Sequence, residues 1–129
     1  MRTRLFFSVF ISIFSVFLIN CSSNDEVVPN KRNSISGTWS LTSYGGGFTG
    51  QFSHYNKGVI TWDFDTINNQ VHIKRKREYF GPSSGTYPFE LRHNGDNQIL
   101  YLNDSVQGMI HLNEYEMIFD NVLIATFIR

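Results

Sequence analysis

The sequence has one cysteine, no excess of either charge and, from Ile35 onward, no helical period, and each shortage removes a class of protein. A single thiol excludes an internal disulfide framework and a cysteine-rich zinc module. Eleven Lys and Arg against eleven Asp and Glu leave a formal charge of zero in 129 residues, so bulk electrostatics supply no reason to bind nucleic acid. His54, His72, His93 and His111 fall one to a region, with no i, i+4 pair and no cysteine beside them, which gives neither zinc spacing nor a recognisable catalytic histidine. There is no Gly-x-Ser-x-Gly elbow. Gly45-Gly46-Gly47-Phe48-Thr49-Gly50 lacks the Gly-Lys-Ser/Thr and the helix start of a phosphate loop. Asp63 and Asp65 with Asn68 and Asn69 lack the Gly and the terminal Glu of a calcium loop, and read as outward polar residues and a turn. No metal, no cofactor and no catalytic residue is expected, and the chain reads as a non-enzyme.

What is present is uneven. Arg2 and Arg4 precede 15 apolar or small residues, Leu5 to Ile19, before Asn20 and Cys21. At about 1.5 Å per residue that run spans about 22 Å, short of a hydrocarbon core about 30 Å thick, so residues 1–20 read as a secretory signal peptide rather than a transmembrane anchor. Leu18-Ile19-Asn20-Cys21 resembles the lipobox of bacterial lipoproteins, which implies that Cys21 is acylated and holds the mature chain on a membrane. Several acyl chains on one cysteine anchor stably where one chain binds only marginally. Ser22-Ser23-Asn24-Asp25-Glu26 follows, and an acidic pair there resembles the surface-export signal of Bacteroidetes lipoproteins. The same residues make a solvated tether over 21–34. The expected location is the outer membrane, lipid-anchored and facing the cell surface. Loss of the signal takes Arg2 and Arg4 and no acid, leaving the mature chain slightly acidic.

From Ile35 to Arg129, apolar and polar residues alternate between turn signals every 8 to 15 residues, an all-β signature. Eight strands are expected, at 35–44, 58–65, 70–78, 85–92, 98–103, 106–112, 115–119 and 122–128. Asn68-Asn69, Gly81-Pro82-Ser83-Ser84, His93-Asn94-Gly95-Asp96 and Asn103-Asp104-Ser105 separate them, the third as an Asn-Gly hairpin. Pro88 has no amide hydrogen, so its strand must be bulged or lie at an edge there. Parity puts Ile35, Trp39 and Leu41 on one face, then Ile60, Trp62 and Phe64, Val71 and Ile73, Tyr87, Phe89 and Leu91, Tyr115, Met117 and Phe119, and Leu123, Ala125 and Phe127. Short sequential hairpins with one apolar face favour an eight-stranded antiparallel up-and-down barrel, with a β-sandwich as the alternative.

Ile35-Ser36-Gly37-Thr38-Trp39-Ser40-Leu41 resembles the Gly-x-Trp opening of lipocalin-like domains. With the segments 44–50 and 57–64, Ser84-Gly85-Thr86-Tyr87 and the terminal Phe127-Ile128-Arg129, residues 35–129 resemble the small lipocalin-like lipoproteins of Bacteroidetes. The resemblance implies that Gly37 and Trp39 close one end of the barrel and that Arg129 lies over the Trp39 ring. Alternation permits that contact, since Arg129 shares parity with Phe127.

An eight-stranded barrel is just wide enough to be filled by side chains or to hold one small ligand. Trp39, Trp62, Phe64, Tyr87, Phe89 and Phe127 are the inward candidates for holding a small apolar ligand. Phe48, with Phe52 and Tyr55, is expected to pack down as a rim from the segment 45–58, where any mouth should lie. Lys74-Arg75-Lys76-Arg77 is the one charge block, either a grip for an anionic group or a solvated strand end that discourages edge pairing. So many inward rings favour a filled core, and the leading expectation is a monomeric, membrane-anchored barrel that acts as a carrier or receptor for a small apolar ligand if its core is hollow. The alternative is a protein or glycan interaction module on a filled barrel, and a third is a hydrolase inhibitor acting through exposed loops.

Overall fold

The computed structural model describes residues 34–129; the signal peptide, Cys21 and the tether as far as residue 33 lie outside the described residues. Nine antiparallel strands follow in order: β1 (Gly37–Gly46), β2 (Gln51–His54), β3 (Ile60–Asp65), β4 (Gln70–Arg75), β5 (Gly85–Asn94), β6 (Asn97–Leu102), β7 (Ser105–Leu112), β8 (Glu116–Asp120) and β9 (Leu123–Ile128). Each of β3 to β8 pairs with the next, β3 pairs with β1, and β1 pairs with β9, so eight strands close into an up-and-down barrel and β2 is an addition. A sandwich would have left two sheets; closure removes the free edges instead.

Local chemistry sets the corners. At the β5–β6 hairpin, Asn94 pairs with Asn97, so the two-residue turn is Gly95-Asp96 with Gly95 at φ 62°, a Gly-first turn rather than the expected Asn-Gly one. Asn103 and Asp104 both have positive φ, as a two-residue β6–β7 turn of matching twist demands. Asp65 organises the β3–β4 turn, accepting the Ile67 and Asn68 amides and the Asn68 side-chain amide. These bonds, the Asn68 side chain foremost, hold its carboxyl below the usual range. Pro88 needs no bulge. Its carbonyl accepts the Asn103 amide at 2.9 Å, so its missing N–H faces the position just beyond the end of β6, where the ladder stops.

The segment expected to be a rim loop is partly strand. β1 runs on to Gly46, and β2 folds back on its last four residues, from Ser43 opposite His54 to Gly46 opposite Gln51. β3 then pairs with Gly37 to Ser40 on the same edge of β1, so β2 and β3 are two lengths of one partner strand, interrupted over residues 55–59. The Gly run permits this fold-back: a Cβ on Gly45 would lie against the Gln51 carbonyl oxygen and 2.6 Å from Phe52 Cα. The glycines therefore serve backbone approach.

Parity places most of the core as expected. Trp39, Leu41, Ile60, Trp62, Phe64, Val71, Ile73, Met117, Phe119, Ala125 and Phe127 are buried, joined by Leu100, Leu102 and Ile110. Tyr115 is a correction, for it is 71% exposed. Asn113 Oδ1 accepts the Tyr115 and Glu116 amides, which puts residue 115 in a turn before β8 begins, so strand alternation does not reach it. Phe48 is a second, being fully exposed at the tip of a 3-10 turn over Gly47–Thr49, while all four β2 residues, Phe52 included, are exposed. Of the expected rim trio only Tyr55 packs on the core.

Candidate functional site

Topology sorts the connections between two ends. Those joining β3 to β4, β5 to β6 and β7 to β8 share one end with Ser34 and Arg129; those leading from β1 to β3, β4 to β5, β6 to β7 and β8 to β9 share the other.

The first end is shut. Arg129 Cζ lies 4.1 Å from the centroid of the Trp39 ring, and its guanidinium donates to the carbonyls of Ser34 and Ser36. Trp39 is fully buried and its indole N–H donates to the Ile35 carbonyl at 2.7 Å. A cation over an indole face contributes about 0.5–2 kcal/mol depending on desolvation. Gly37, at φ 101°, starts β1 beneath this stack.

The second end is open. A recess of about 400 Å³ enters between the β4–β5 connection, the starts of β7 and β9, and Tyr44 of β1. Its floor is Trp62, Phe119 and Phe127, three buried rings with centroids 5.0–5.3 Å apart. Trp62 and Phe127 are thus the residues of the expected set that line it. Trp39, Phe64 and Phe89 are packed elsewhere in the core, with Phe89 edge-on to Phe64 at 5.1 Å. Tyr87 is a correction: it is half-buried, does not line the recess, and donates its hydroxyl to the Ser83 carbonyl at 3.0 Å. The mouth also differs from expectation, because the Gly45 to Gly58 segment contributes no lining residue. That segment is occupied in hydrogen-bonding back to β1.

Tyr79 forms the side of the recess, and strand alternation had no reason to find it. β4 ends at Arg75, whose amide donates to Ser84 Oγ, and the chain then crosses the mouth. Tyr79 turns inward, edge-on to Tyr44 at 5.6 Å and to Tyr55 at 6.4 Å, and accepts a hydrogen bond from Trp62 Nε1 at 3.2 Å. Burial pushes its hydroxyl up to about 12, against the smaller opposing effect of that indole N–H. Gly81 makes room for it: a Cβ there would overlap the Tyr79 ring edge. Tyr44 donates to the Phe80 carbonyl at 2.7 Å, pinning the crossing to β1. The signal in the sequence was Tyr79-Phe80-Gly81-Pro82 directly after a strand at an open barrel end.

The recess presents little of its aromatic floor, since Trp62 and Phe119 are 2% and 3% exposed and Phe127 is fully buried, and it carries a few hydrogen-bonding groups, Gln107 and Asn121 near the mouth and the Tyr79 hydroxyl inside. Every buried side-chain nitrogen and oxygen among the described residues has a partner. Among the described residues no His, Cys, Asp and Glu gather as metal ligands would. His72 instead bonds Thr86 through Nδ1 at 2.7 Å on the outer wall, near the Thr38 to Asp63 hydrogen bond. Comparison with protein-family models, with curated proteins and with solved structures finds no match in any of the three.

Proposed function

We propose that the protein is a non-catalytic carrier or receptor that holds a small apolar ligand in the open end of its barrel. The observation that carries this reading is the recess itself. At about 400 Å³ it falls within the volume range of small-molecule sites, as an open recess whose lining mixes apolar side chains with polar groups above a buried aromatic floor. Its depth limits the ligand, because the remainder of the barrel is packed by Leu41, Val71, Leu100, Met117 and other buried side chains. A short alkyl chain or a single ring system suits such a space.

The lipocalin-like resemblance of residues 35–129 is in keeping with this use of a barrel. The proposal extends to location: acylation of Cys21 would tether the domain to the outer membrane, at the cell surface if the acidic pair after it directs export. The tether would join the barrel at its shut end, next to Arg129 and Trp39.

Native mass spectrometry of the full chain with decanol and decanoic acid tests the recess. An adduct on the wild type that disappears in Ala125→Phe is the expected result, because Ala125 lines the recess and a ring there fills it. No adduct with either probe, or one that persists in Ala125→Phe, would overturn the reading. Urea unfolding of the variant establishes that the barrel is intact.

A further inference from the structure

The open end carries a second feature that ligand enclosure does not require. Phe48 is fully exposed, Phe80 is 90% exposed and Val122 is 71% exposed, each on a different connection at the open end, Phe80 and Val122 on the recess and Phe48 outside it. Phe80 cannot fold in, since Tyr79 already occupies the interior and the Phe80 carbonyl is held by Tyr44. Gly47 brings the turn that bears Phe48 beside β9, where a Cβ on it would lie 3.4 Å from Leu123 and 3.7 Å from the Val122 carbonyl. The apolar side chains are therefore tips standing around a hole, an arrangement unlike the continuous patch of a protein interface.

Charge is divided along the same axis. Lys74, Lys76 and Arg77 end β4 and begin the mouth crossing, all exposed, and among the described residues they form no ion pair. Of the mouth acids, Glu78 pairs with Arg75 at 3.4 Å, while Asp104 shares Arg92 at 3.3 Å with Glu90, which is closer at 2.9 Å, and Asp120 has no cation beside it among the described residues. At the shut end stand Asp65, Asp96, Glu114 and Glu116, with two cations, Arg129 laid over Trp39 and Lys57 donating to the Arg129 carbonyl at 2.7 Å. The mouth thus carries three exposed apolar tips beside the unpaired cations, whereas the shut end, where Ile67 and Tyr115 are also exposed, has more acids than cations.

We propose that the mouth docks on an anionic lipid bilayer, with Phe48, Phe80 and Val122 in the headgroup and acyl boundary and Lys74, Lys76 and Arg77 on the lipid phosphates. Apolar tips flanked by cations are what such a surface selects, and the attraction to anionic lipid is about fivefold in partition for each cation near the surface. Docking would open the recess straight onto the acyl phase, where a small apolar ligand resides; this rests on the reading of the recess as a ligand site. The tether meets the domain at the opposite end, and its 13 residues, 21–33, would reach about 43–47 Å when extended, enough to pass the barrel wall if the docked bilayer is the one that holds Cys21.

The test uses the full chain on vesicles, with Cys21→Ser so that one introduced thiol is labelled by a nitroxide. Ser83→Cys places the label on the β4–β5 connection at the mouth and Asp96→Cys places it at the shut end, both exposed positions outside the recess lining that leave the apolar tips intact. Depth is read from the relative accessibility of the label to oxygen and to a water-soluble nickel chelate. On phosphatidylglycerol vesicles the mouth label should be immersed and the base label aqueous. Immersion should be lost on pure phosphatidylcholine, in Lys76→Glu with Arg77→Glu, and in Phe48→Ser with Phe80→Ser. An aqueous mouth label on phosphatidylglycerol, an immersed base label, or immersion indifferent to both pairs of substitutions would overturn the proposal. Decanol adducts report on the recess separately, so loss of docking with adducts retained refutes the docking alone, and the reverse refutes the cargo alone.

Discussion

Adding one methyl group at Gly81 should expel Tyr79 from the barrel. A Cβ at that position falls 2.7 Å from the Tyr79 hydroxyl oxygen and closer still to Cε2 and Cζ. These atoms are the far end of a side chain with two free torsions, so the ring yields before the backbone does. Its departure removes the hydrogen bond from Trp62 Nε1, about 1 kcal/mol net. It also removes the edge contacts to Tyr44 and Tyr55, about 0.5–1.5 kcal/mol, and much of the burial of the ring itself, about 1.5–3 kcal/mol when complete. The Trp62 N–H then meets water in the enlarged recess, so no unpaired-donor cost is added. Gly81→Ala should therefore lose about 2–4 kcal/mol in urea unfolding. The same variant should change the alkaline titration of tyrosinate absorbance. Burial raises two tyrosines, Tyr44 and, to about 12, Tyr79, and in Gly81→Ala the Tyr79 step should move down to join the exposed tyrosines. A variant within about 0.5 kcal/mol of wild type, still with its late-titrating tyrosine, would refute the placement of Tyr79 against Gly81.

The Tyr79 hydroxyl also sets an alkaline limit. Its folded value, about 12, lies above the ordinary 10.0, so its contribution is whole below pH 10 and is lost as the pH climbs toward 12, by about 2–3 kcal/mol in all. Tyr79→Phe should flatten that part of the stability curve in urea unfolding at stepped pH; an unchanged slope would show that another group causes it. At the shut end, Arg129→Ala should cost about 1 kcal/mol after allowance for the exposure of the guanidinium, measured by thermal unfolding. Arg129→Lys should recover little, because an ammonium lacks the flat face that rests on Trp39; full recovery would mean that charge alone matters.

The barrel was legible because its strands are short and their alternation is clean: Ile60, Trp62 and Phe64 are buried, while Asp63 between them is exposed. The same rule misplaced Tyr115, since an Asn113-centred turn holds that residue outside β8. It could not place the recess either. Alternation says which side chains point inward, but which of them meet depends on the register between strands, and that register leaves Phe89 against Phe64 while bringing Phe119 onto Trp62. β2 was hidden for a different reason. Gln51-Phe52-Ser53-His54 is exposed on both faces, so no burial pattern marks it, and it is a strand only because Gly45 lets it approach β1. Tyr79 follows from neither period, because its inward turn is set by Gly81, Trp62 and Tyr44 together.

The seam between β1 and β9 joins parts of the domain farthest apart in the chain, with Leu41 opposite Phe127 and Tyr44 opposite Ala125. Every other strand pair is made with the next strand or across the short β2 excursion. Loop closure delays contacts of long sequence separation, so the local hairpins should zip first into a curled meander and this seam should form last. The recess straddles it, having Tyr44 on one side and Leu123, Ala125 and Phe127 on the other. The recess is therefore completed at the final step of folding, and a chain stalled just before it would present Trp62, Phe119 and Phe127 as a naked aromatic cluster, the species most prone to aggregate.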